Sequence, residues 1–182
     1  CATDIPRVEA LLAQGRAADA WRTILAENPL PGVCGRVCFH PCEAACNRGD
    51  LDHPVSINAL ERALADAARD HAIPDGLVPT APQGKRIAIA GSGPAGLSAA
   101  YFLTLLGYTC DVFETESKPG GLLRWGIPEY RLPVGVLEEE IARLRALGVV
   151  FHCEKPLDQA FLSDAGPYAA LVIACGQGRA LP

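Results

Sequence analysis

Residues 85–114 read KRIAIAGSGPAGLSAAYFLTLLGYTCDVFE, and this stretch decides the fold of the second half of the chain. Arg86–Ala90 is a short apolar run that predicts a strand, and Ala95–Leu106 is predicted to be a helix. Gly107 follows the helix at a position where glycine commonly ends one. Tyr108–Phe113 is a second apolar run. The order strand, helix, strand predicts a parallel βαβ unit.

A glycine-rich turn connects the first predicted strand to the helix. Gly91 permits the tight turn, Gly93 lets the backbone approach a pyrophosphate, and Gly96 allows close packing of helix on strand. Phosphates are expected at the helix N-terminus, where unpaired N–H groups favour anions. The carboxylate that ends the second strand can accept hydrogen bonds from ribose hydroxyls. A glycine-rich turn alone can be purely structural, but here every element stands in order. We therefore predict a dinucleotide site at Gly91, Ser92, Gly93, Pro94, Ala95, Gly96 and Glu114.

The chain beyond this unit continues the α/β pattern. A glycine-rich loop, Lys118–Gly121, is followed by a predicted helix at Val134–Leu147. Val149–Cys153 and Ala170–Ala174 are predicted to be further strands. The second half is therefore predicted to be Rossmann-like, with helices packed on a parallel sheet.

The first 70 residues are predicted to be helical. Residues 6–27 have the apolar spacing of a helical hairpin, and Ser56 is expected to cap a helix that ends near Arg69. The stretch 71–84, HAIPDGLVPTAPQG, is rich in proline and glycine and is predicted to be a linker. The expected fold class is α + α/β: a helical domain at 1–70, the linker at 71–84, and an incomplete Rossmann-like domain at 85–182.

Five of the 8 cysteines lie in the first 46 residues, four of them in the run CGRVCFHPCEAAC at 34–46. Gly35 and Pro41 are expected to interrupt the run, so that it does not form one continuous helix. Disulfides are disfavoured because no secretory signal is visible. Three alternatives stay open on spacing alone: a cluster held by thiolates, a four-cysteine zinc site, and free thiols. The cluster is favoured because the CxxC pairs usual in zinc knuckles are absent.

Composition excludes several classes of function. The chain of 182 residues is 49% hydrophobic and 20% charged, which is typical of globular proteins, and its net charge of −5 gives no reason to expect nucleic acid as a partner. No apolar run reaches the about 18 residues that span a bilayer. We therefore predict no membrane insertion and a cytoplasmic location. Because the chain begins on Cys1 and ends on Pro182 just after a strand-like run, we expect both ends to lie within a longer polypeptide.

Three segments together, NPLPGVCGRVCFHPCEAACNRG, GSGPAGL and GGLLRWGIPEYRLP, resemble the family of the glutamate synthase small (β) subunit. The same family includes the N-terminal half of dihydropyrimidine dehydrogenase, and the resemblance covers essentially the whole chain. It implies a helical domain with two 4Fe-4S clusters, followed by an FAD domain into which an NAD(P)H domain is inserted. GSGPAGL, then Glu114 followed closely by a Gly-Gly pair, resembles the FAD site of two-dinucleotide-fold flavoproteins, and this resemblance favours FAD over NAD. The carboxylate of Glu114 disfavours the 2′-phosphate of NADP.

The resemblance also implies roles for individual cysteines. Cys1, Cys38 and Cys42 match ligands of one 4Fe-4S cluster, and Glu61 falls where the family has a Gln or Glu as the fourth ligand. Cys46 matches a ligand of the other cluster. Cys34 stands at a position that is not a ligand in relatives, so we expect it to be a buried or free thiol.

In the second half, the family places FAD contacts at Gly120, Gly121, Leu122, Arg131 and Leu157. Ala174-Cys175-Gly176 resembles a stretch near the FAD. No histidine, serine or cysteine arrangement indicates a general base or nucleophile, so no catalytic residue is predicted.

The chain departs from the family in what it lacks. The upstream cysteines that would complete the cluster of Cys46 are absent, as is the NAD(P)H fingerprint, so NAD(P)H is expected to bind in a missing part of the polypeptide. The predicted function is that of an NAD(P)H-dependent flavin and iron–sulfur oxidoreductase subunit that passes electrons to a larger partner subunit in a hetero-oligomer. The alternative is a non-catalytic electron-transfer or docking module of a larger redox complex.

Overall fold

The computed structural model describes residues 3–158, 161 and 166–176, and the chain divides into two units, Cys1–Gly76 (unit 1) and Leu77–Pro182 (unit 2). Unit 1 is helical, as predicted. Its elements are α1 (Ile5–Ala13), α2 (Ala17–Leu25), α3 (Pro31–Val37), α4 (Pro41–Ala44), a 3-10 helix (Asn47–Asp50) and α5 (Ile57–Asp70).

Helices α1 and α2 form the predicted hairpin. Gly15, with a φ of +72°, makes the left-handed turn between them, which glycine adopts at no steric cost. The side chains of Val8, Trp21 and Ile24 are fully buried. The indole N–H of Trp21 donates a hydrogen bond of 2.8 Å to Asp75, so the polar edge of this large side chain is satisfied as well.

The close packing of α3 on α5 corrects one prediction. Gly35 lies inside α3 and does not interrupt the helix. A Cβ built at Gly35 would lie 2.7 Å from the Cα of Arg62, which is closer than real Cβ contacts allow. The close approach of the two helix backbones therefore explains why residue 35 is a glycine. Pro41 does begin a new helix, so the cysteine run is broken where proline predicts it.

Helix α5 begins directly after Ser56, the predicted cap position, but the Ser56 side chain makes no capping hydrogen bond. The carboxylate of Glu43 takes that role, because its Oε1 accepts a hydrogen bond of 2.8 Å from the backbone N–H of Asn58 in the first turn. This contact joins α4 to the start of α5, and it satisfies one of the N–H groups that a helix start leaves unpaired.

Unit 2 has a parallel sheet with the order β3-β2-β1-β4, which confirms the Rossmann-like prediction. Its elements are β1 (Arg86–Ala90), α6 (Pro94–Leu105), β2 (Thr109–Phe113), α7 (Leu122–Trp125), α8 (Val134–Ala146), β3 (Val150–His152) and β4 (Tyr168–Ile173). The short helix α7 was not predicted. The core of the unit is formed by apolar side chains of the strands, α6 and α8, among them Ile89, Leu97, Tyr101, Ile141 and Leu144.

One charged side chain lies inside this sheet. Asp111 of β2 is 2% exposed, and its carboxylate is 2.8 Å from the guanidinium of Arg86 and 2.8 Å from Nε2 of His152. Burial tends to raise the pKa of Asp111, but the hydrogen bonds from His152 and Arg86 outweigh it, and the pKa is lowered. The buried charge is thus paired with side chains of both neighbouring strands.

Residues 71–84 form neither helix nor strand, although each end of the stretch is bonded within its own unit. Asp75 accepts from Trp21 in unit 1. In unit 2, the N–H of Thr80 donates to the carbonyl of Leu105 at 2.8 Å, and that of Gln83 donates to Gly107 at 2.9 Å.

No helix in the ranges that the structure describes is long and apolar enough to cross a membrane. The longest, α5, has 14 residues, whereas about 20 apolar residues are needed to span the hydrocarbon core.

Candidate cofactor sites

A cavity of about 700 Å³ opens in unit 2 at the carboxyl ends of β1, β2 and β4. Ligands of open α/β sheets bind at this edge. Most of the predicted dinucleotide contacts line the cavity, namely Gly91, Ser92, Gly93, Pro94, Ala95, Glu114, Gly121, Leu122 and Leu157. Gly96, Gly120 and Arg131 do not line it. Arg131 is exposed, whereas Gly96 and Gly120 are buried.

The three glycines of the turn are required for different reasons. A Cβ at Gly91 would collide with the carbonyl oxygen of Ala174, and one at Gly96 would collide with that of Gly91. A Cβ at Gly93 would meet no atom of the described residues within 4 Å. The fold therefore requires glycine at positions 91 and 96, whereas no contact in the described part of the chain requires it at position 93. Its bare backbone leaves room for a group in the cavity, which fits a pyrophosphate.

Helix α6 begins at Pro94, with Gly93 as its N-cap. The first N–H groups of a helix have no partner within it, and they favour anions at this end. Pro94 has no N–H to offer and begins the helix with a fitting φ. The helix start, the open face of Gly93 and the cavity lie together, so the described residues fit a dinucleotide.

Glu114 is 6% exposed and is held by three neighbours. One carboxylate oxygen accepts hydrogen bonds from the hydroxyl and the N–H of Ser92. The other accepts from the Thr115 hydroxyl and the Glu116 N–H, both at 3.0 Å. Burial tends to raise the pKa of Glu114, but these hydrogen bonds outweigh it, and the pKa is lowered. A carboxylate has about four acceptor positions, and four protein donors already use them. A ribose hydroxyl would therefore compete with these donors for the carboxylate oxygens.

The Gly-Gly pair closes one wall of the cavity. The N–H of Gly120 donates to the Ser92 hydroxyl at 3.0 Å. Gly121 has a φ of +51°, and a Cβ there would lie 2.8 Å from the Cα of Gly93. The second loop thus packs directly on the first, and Gly120 acts on the cavity through Ser92 without lining it.

Sequence reasoning missed several residues of this cavity. Phe113, Thr115, Trp125, Pro156 and Ile173 also line it. Trp125 is 56% exposed. Its position depends on α7, and the four residues of that helix carry too little periodicity to be recognised.

A second cavity, of about 210 Å³, lies in unit 1 and is lined by thiols. Cys38, Cys42 and Glu61, three of the predicted cluster ligands, line it together with Cys34, His40, Asn28 and Asn58. Cys46 does not line it, and its assignment to another cluster stays a prediction. Cys1 lies outside the described residues. None of the cysteines that the structure describes forms a disulfide.

A tight turn brings Cys38 and Cys42 to the same cavity. Helix α3 ends at Val37, and His40 adopts a left-handed φ of 42° just before Pro41 begins α4. This turn aims the N–H of His40 at the sulfur of Cys38, 3.3 Å away. Hydrogen bonds to cysteine sulfur are one means by which proteins set the potential of an iron–sulfur cluster.

Glu61 projects from α5 into the same cavity and is 6% exposed. Burial raises the pKa of its carboxyl, and the hydrogen bond of 3.1 Å from Asn28 offsets part of this effect. Among the described residues, no three His, Cys, Asp or Glu side chains converge on one point where a metal ion could be held. Ligands of a cluster surround a cube of atoms and not a single point. Two thiols and a carboxylate on one cavity fit such a cluster by donor chemistry.

Each of the two units contains a segment that matches a known protein family. Residues 1–73 match the family described as dihydropyrimidine dehydrogenase domain II, 4Fe-4S cluster, and residues 89–136 match the NAD(P)-binding Rossmann-like domain family.

Three curated relatives are about equally similar to this chain. They are the NADP(+)-dependent formate dehydrogenase subunit beta of Moorella thermoacetica (40% identity, 82% of this chain and 24% of the relative), the glutamate synthase [NADPH] small chain of Mycobacterium tuberculosis (40%, 81% and 30%), and the NAD-dependent dihydropyrimidine dehydrogenase subunit PreT of Escherichia coli O157:H7 (41%, 76% and 34%). The chain spans about a quarter to a third of the length of these relatives.

Proposed function

We propose that this chain is part of an NAD(P)H-dependent flavin and iron–sulfur oxidoreductase subunit. The proposal is supported by the match of residues 1–73 to the dihydropyrimidine dehydrogenase domain II family of 4Fe-4S domains and of residues 89–136 to a Rossmann-like NAD(P)-binding family. The observation that carries the proposal is the presence of two cavities in one chain. One is lined by Cys38, Cys42 and Glu61, and the other by the turn around Gly93 and by Glu114. The roles predicted for the individual site residues are also proposals.

We propose FAD as the dinucleotide of unit 2. Glu114 supports this choice, because its carboxylate would repel the 2′-phosphate of NADP. The packing of Gly121 on Gly93 also supports it, since the second loop extends the wall of the cavity beyond what a glycine-rich turn alone provides. Bound FAD would accept a hydride and release single electrons, and a bound 4Fe-4S cluster would carry them onward.

The residues of the chain have positioning roles in this proposal. The N-terminus of α6 and the open backbone of Gly93 would hold the pyrophosphate. Glu114 would face the ribose while it fixes Ser92. In unit 1, Cys38, Cys42 and Glu61 would hold the cluster, with Cys1 as the remaining ligand. No residue of this chain is assigned a proton-transfer step.

The glutamate synthase small chain is the proposed identity of the whole protein, and its partner would be a larger subunit in a hetero-oligomer. Relatives named as formate dehydrogenase and dihydropyrimidine dehydrogenase subunits are about equally similar. We therefore propose that the partner subunit, and not this chain, determines the substrate of the complex.

To test the proposal, NADPH or NADH is added to the full-length protein under anaerobic conditions. The proposal predicts loss of the flavin absorption band, followed by the electron paramagnetic resonance signal of a reduced cluster. Glutamate formation on addition of a glutamate synthase large subunit would support the finer identity. A protein that binds flavin and iron but that neither nucleotide reduces would instead support the electron-transfer module.

A further inference from the structure

Asn28 lies between α2 and α3, and its amide is buried against the carboxylate of Glu61. The two residues are 7% and 6% exposed. Nδ2 of Asn28 donates a hydrogen bond of 3.1 Å to Oε1 of Glu61 across 33 positions of sequence. Both residues line the thiol-lined cavity of unit 1.

The orientation of the amide is fixed by a second contact. Oδ1 of Asn28 accepts a hydrogen bond of 3.1 Å from the N–H of Leu30. An amide has its acceptor on one side and its donors on the other, so the bond to Leu30 forces the NH₂ group towards Glu61. The backbone N–H of Asn28 is bonded as well, to the carbonyl of Ile24 at 2.9 Å. Asn28 is thus held at three points.

From these contacts we infer that Asn28 is a positioning residue for the iron–sulfur cluster: it engages Oε1 of Glu61 and leaves Oε2 to face the metal. This inference rests on the proposed ligand role of Glu61. The partners that orient a metal ligand matter nearly as much as the ligand, and their loss typically costs 10–100-fold in metal affinity or activity.

The chain offers a variant that removes the donor, and a control that introduces the same negative charge elsewhere in the cavity. Asn28→Asp keeps an oxygen for the Leu30 N–H but replaces the NH₂ group with a second acceptor that faces Glu61. Asn58→Asp is the matched control. Asn58 lines the same cavity, but its Nδ2 donates to the carbonyl of Cys34 at 2.9 Å and not to a proposed ligand.

A reversed pair tests the hydrogen bond itself. Glu61→Gln alone leaves a single oxygen at position 61, for which the Asn28 NH₂ group and the metal would compete. In the double variant, which combines Asn28→Asp with Glu61→Gln, the introduced amide can donate to the introduced carboxylate and turn its own oxygen towards the metal. The inference therefore predicts that the double variant regains what each single variant loses, which is a coupling that independent effects would not produce.

The experiment reconstitutes the cluster in the full chain without oxygen and follows iron release to a chelator, together with the resonance spectrum of the reduced cluster. We expect Asn28→Asp to release iron about 10–100-fold faster than wild type with an altered spectrum. Asn58→Asp should behave like wild type, and the double variant should return towards it.

Two results would overturn the inference in different ways. In the first, Asn28→Asp releases iron at the wild-type rate while Glu61→Ala releases it fast. This result would show that Glu61 is a ligand that Asn28 does not position. Wild-type release from Glu61→Ala would remove the ligand assignment itself. Should Asn28→Asp fail to fold, the comparison of Glu61→Gln with the double variant still decides: slower release from the double variant supports the inference, and equal release overturns it.

Discussion

The hydroxyl of Ser92 donates to the carboxylate of Glu114, and it accepts a hydrogen bond of 3.0 Å from the N–H of Gly120. Ser92 is fully buried. One hydroxyl thus joins the glycine-rich turn, the end of β2 and the Gly-Gly loop, which are three of the segments around the cavity of unit 2.

Replacement of Ser92 by alanine should lower the free energy of unfolding by about 1–3 kcal/mol, because it leaves the Gly120 N–H and one carboxylate position buried without a partner. Urea unfolding followed by circular dichroism measures the change. Ser98→Ala, in the same unit on the half-buried side of α6, is the control and should be neutral or slightly stabilising. Equal stability of the two variants would show that the Ser92 contacts contribute nothing.

The glycines of the turn should separate binding from folding. In Gly93→Ala the added methyl group meets no atom of the described residues within 4 Å, so the free energy of unfolding should change by less than about 0.5 kcal/mol. Dinucleotide affinity should fall by about tenfold or more, equivalent to about 1.4 kcal/mol. Gly96→Ala should destabilise unit 2, because its Cβ would collide with the Gly91 carbonyl. Fluorescence titration with FAD and urea unfolding give the two quantities, and unchanged FAD affinity in Gly93→Ala would contradict the placement of the pyrophosphate.

Acidification should weaken unit 2 through Glu114. The pKa of Glu114 in the folded protein is below the ordinary value of 4.5. Its contribution to the free energy of unfolding is therefore fully present above pH 4.5, and it is lost as the pH falls through the pKa of the folded state. Thermal unfolding of Glu114→Gln should therefore depend less on pH below about pH 4.5 than that of wild type. Parallel pH profiles for the two proteins would show that Glu114 does not supply this dependence.

The cysteines of unit 1 should differ in their effect on iron binding, although Cys34, Cys38 and Cys42 all line one cavity. Cys38→Ser and Cys42→Ser should lose most of the iron and acid-labile sulfide after reconstitution, because each removes a proposed ligand. Cys34→Ser is the matched control and should retain both. Loss of iron in Cys34→Ser alone would reverse the assignment.

Gly35→Ala should lower the free energy of unfolding of unit 1 by about 1–3 kcal/mol, since the added methyl group forces α3 away from α5. Gly135→Ala in α8 meets nothing within 4 Å and should stabilise unit 2 by up to about 1 kcal/mol through helix propensity. Urea unfolding of both variants checks the contrast, and a neutral Gly35→Ala would show that the helix contact is looser than described.

The sequence predicts the βαβ unit and its turn well, because the strand–turn–helix pattern is local and Gly96 packs on Gly91 within it. The contact of Gly91 with the carbonyl of Ala174 comes from a distant part of the chain and could not be predicted. It predicts unit 1 less completely. Gly35 was interpreted as a helix breaker, and Ser56 as a side-chain cap, because the contacts with Arg62 and Glu43 come from residues distant in sequence. The left-handed turn at His40 likewise could not be predicted locally, since residues other than glycine adopt this conformation in only about a few per cent of cases.

The central claim is that one chain holds both an iron–sulfur cluster and a flavin. The direct measurement is the content of iron, acid-labile sulfide and extracted flavin in a single anaerobically reconstituted sample. We expect iron and sulfide in equal amounts together with FAD, and we expect Cys42→Ser to lose the iron and sulfide but to keep the FAD. Zinc in place of iron and sulfide, with no flavin, would contradict it.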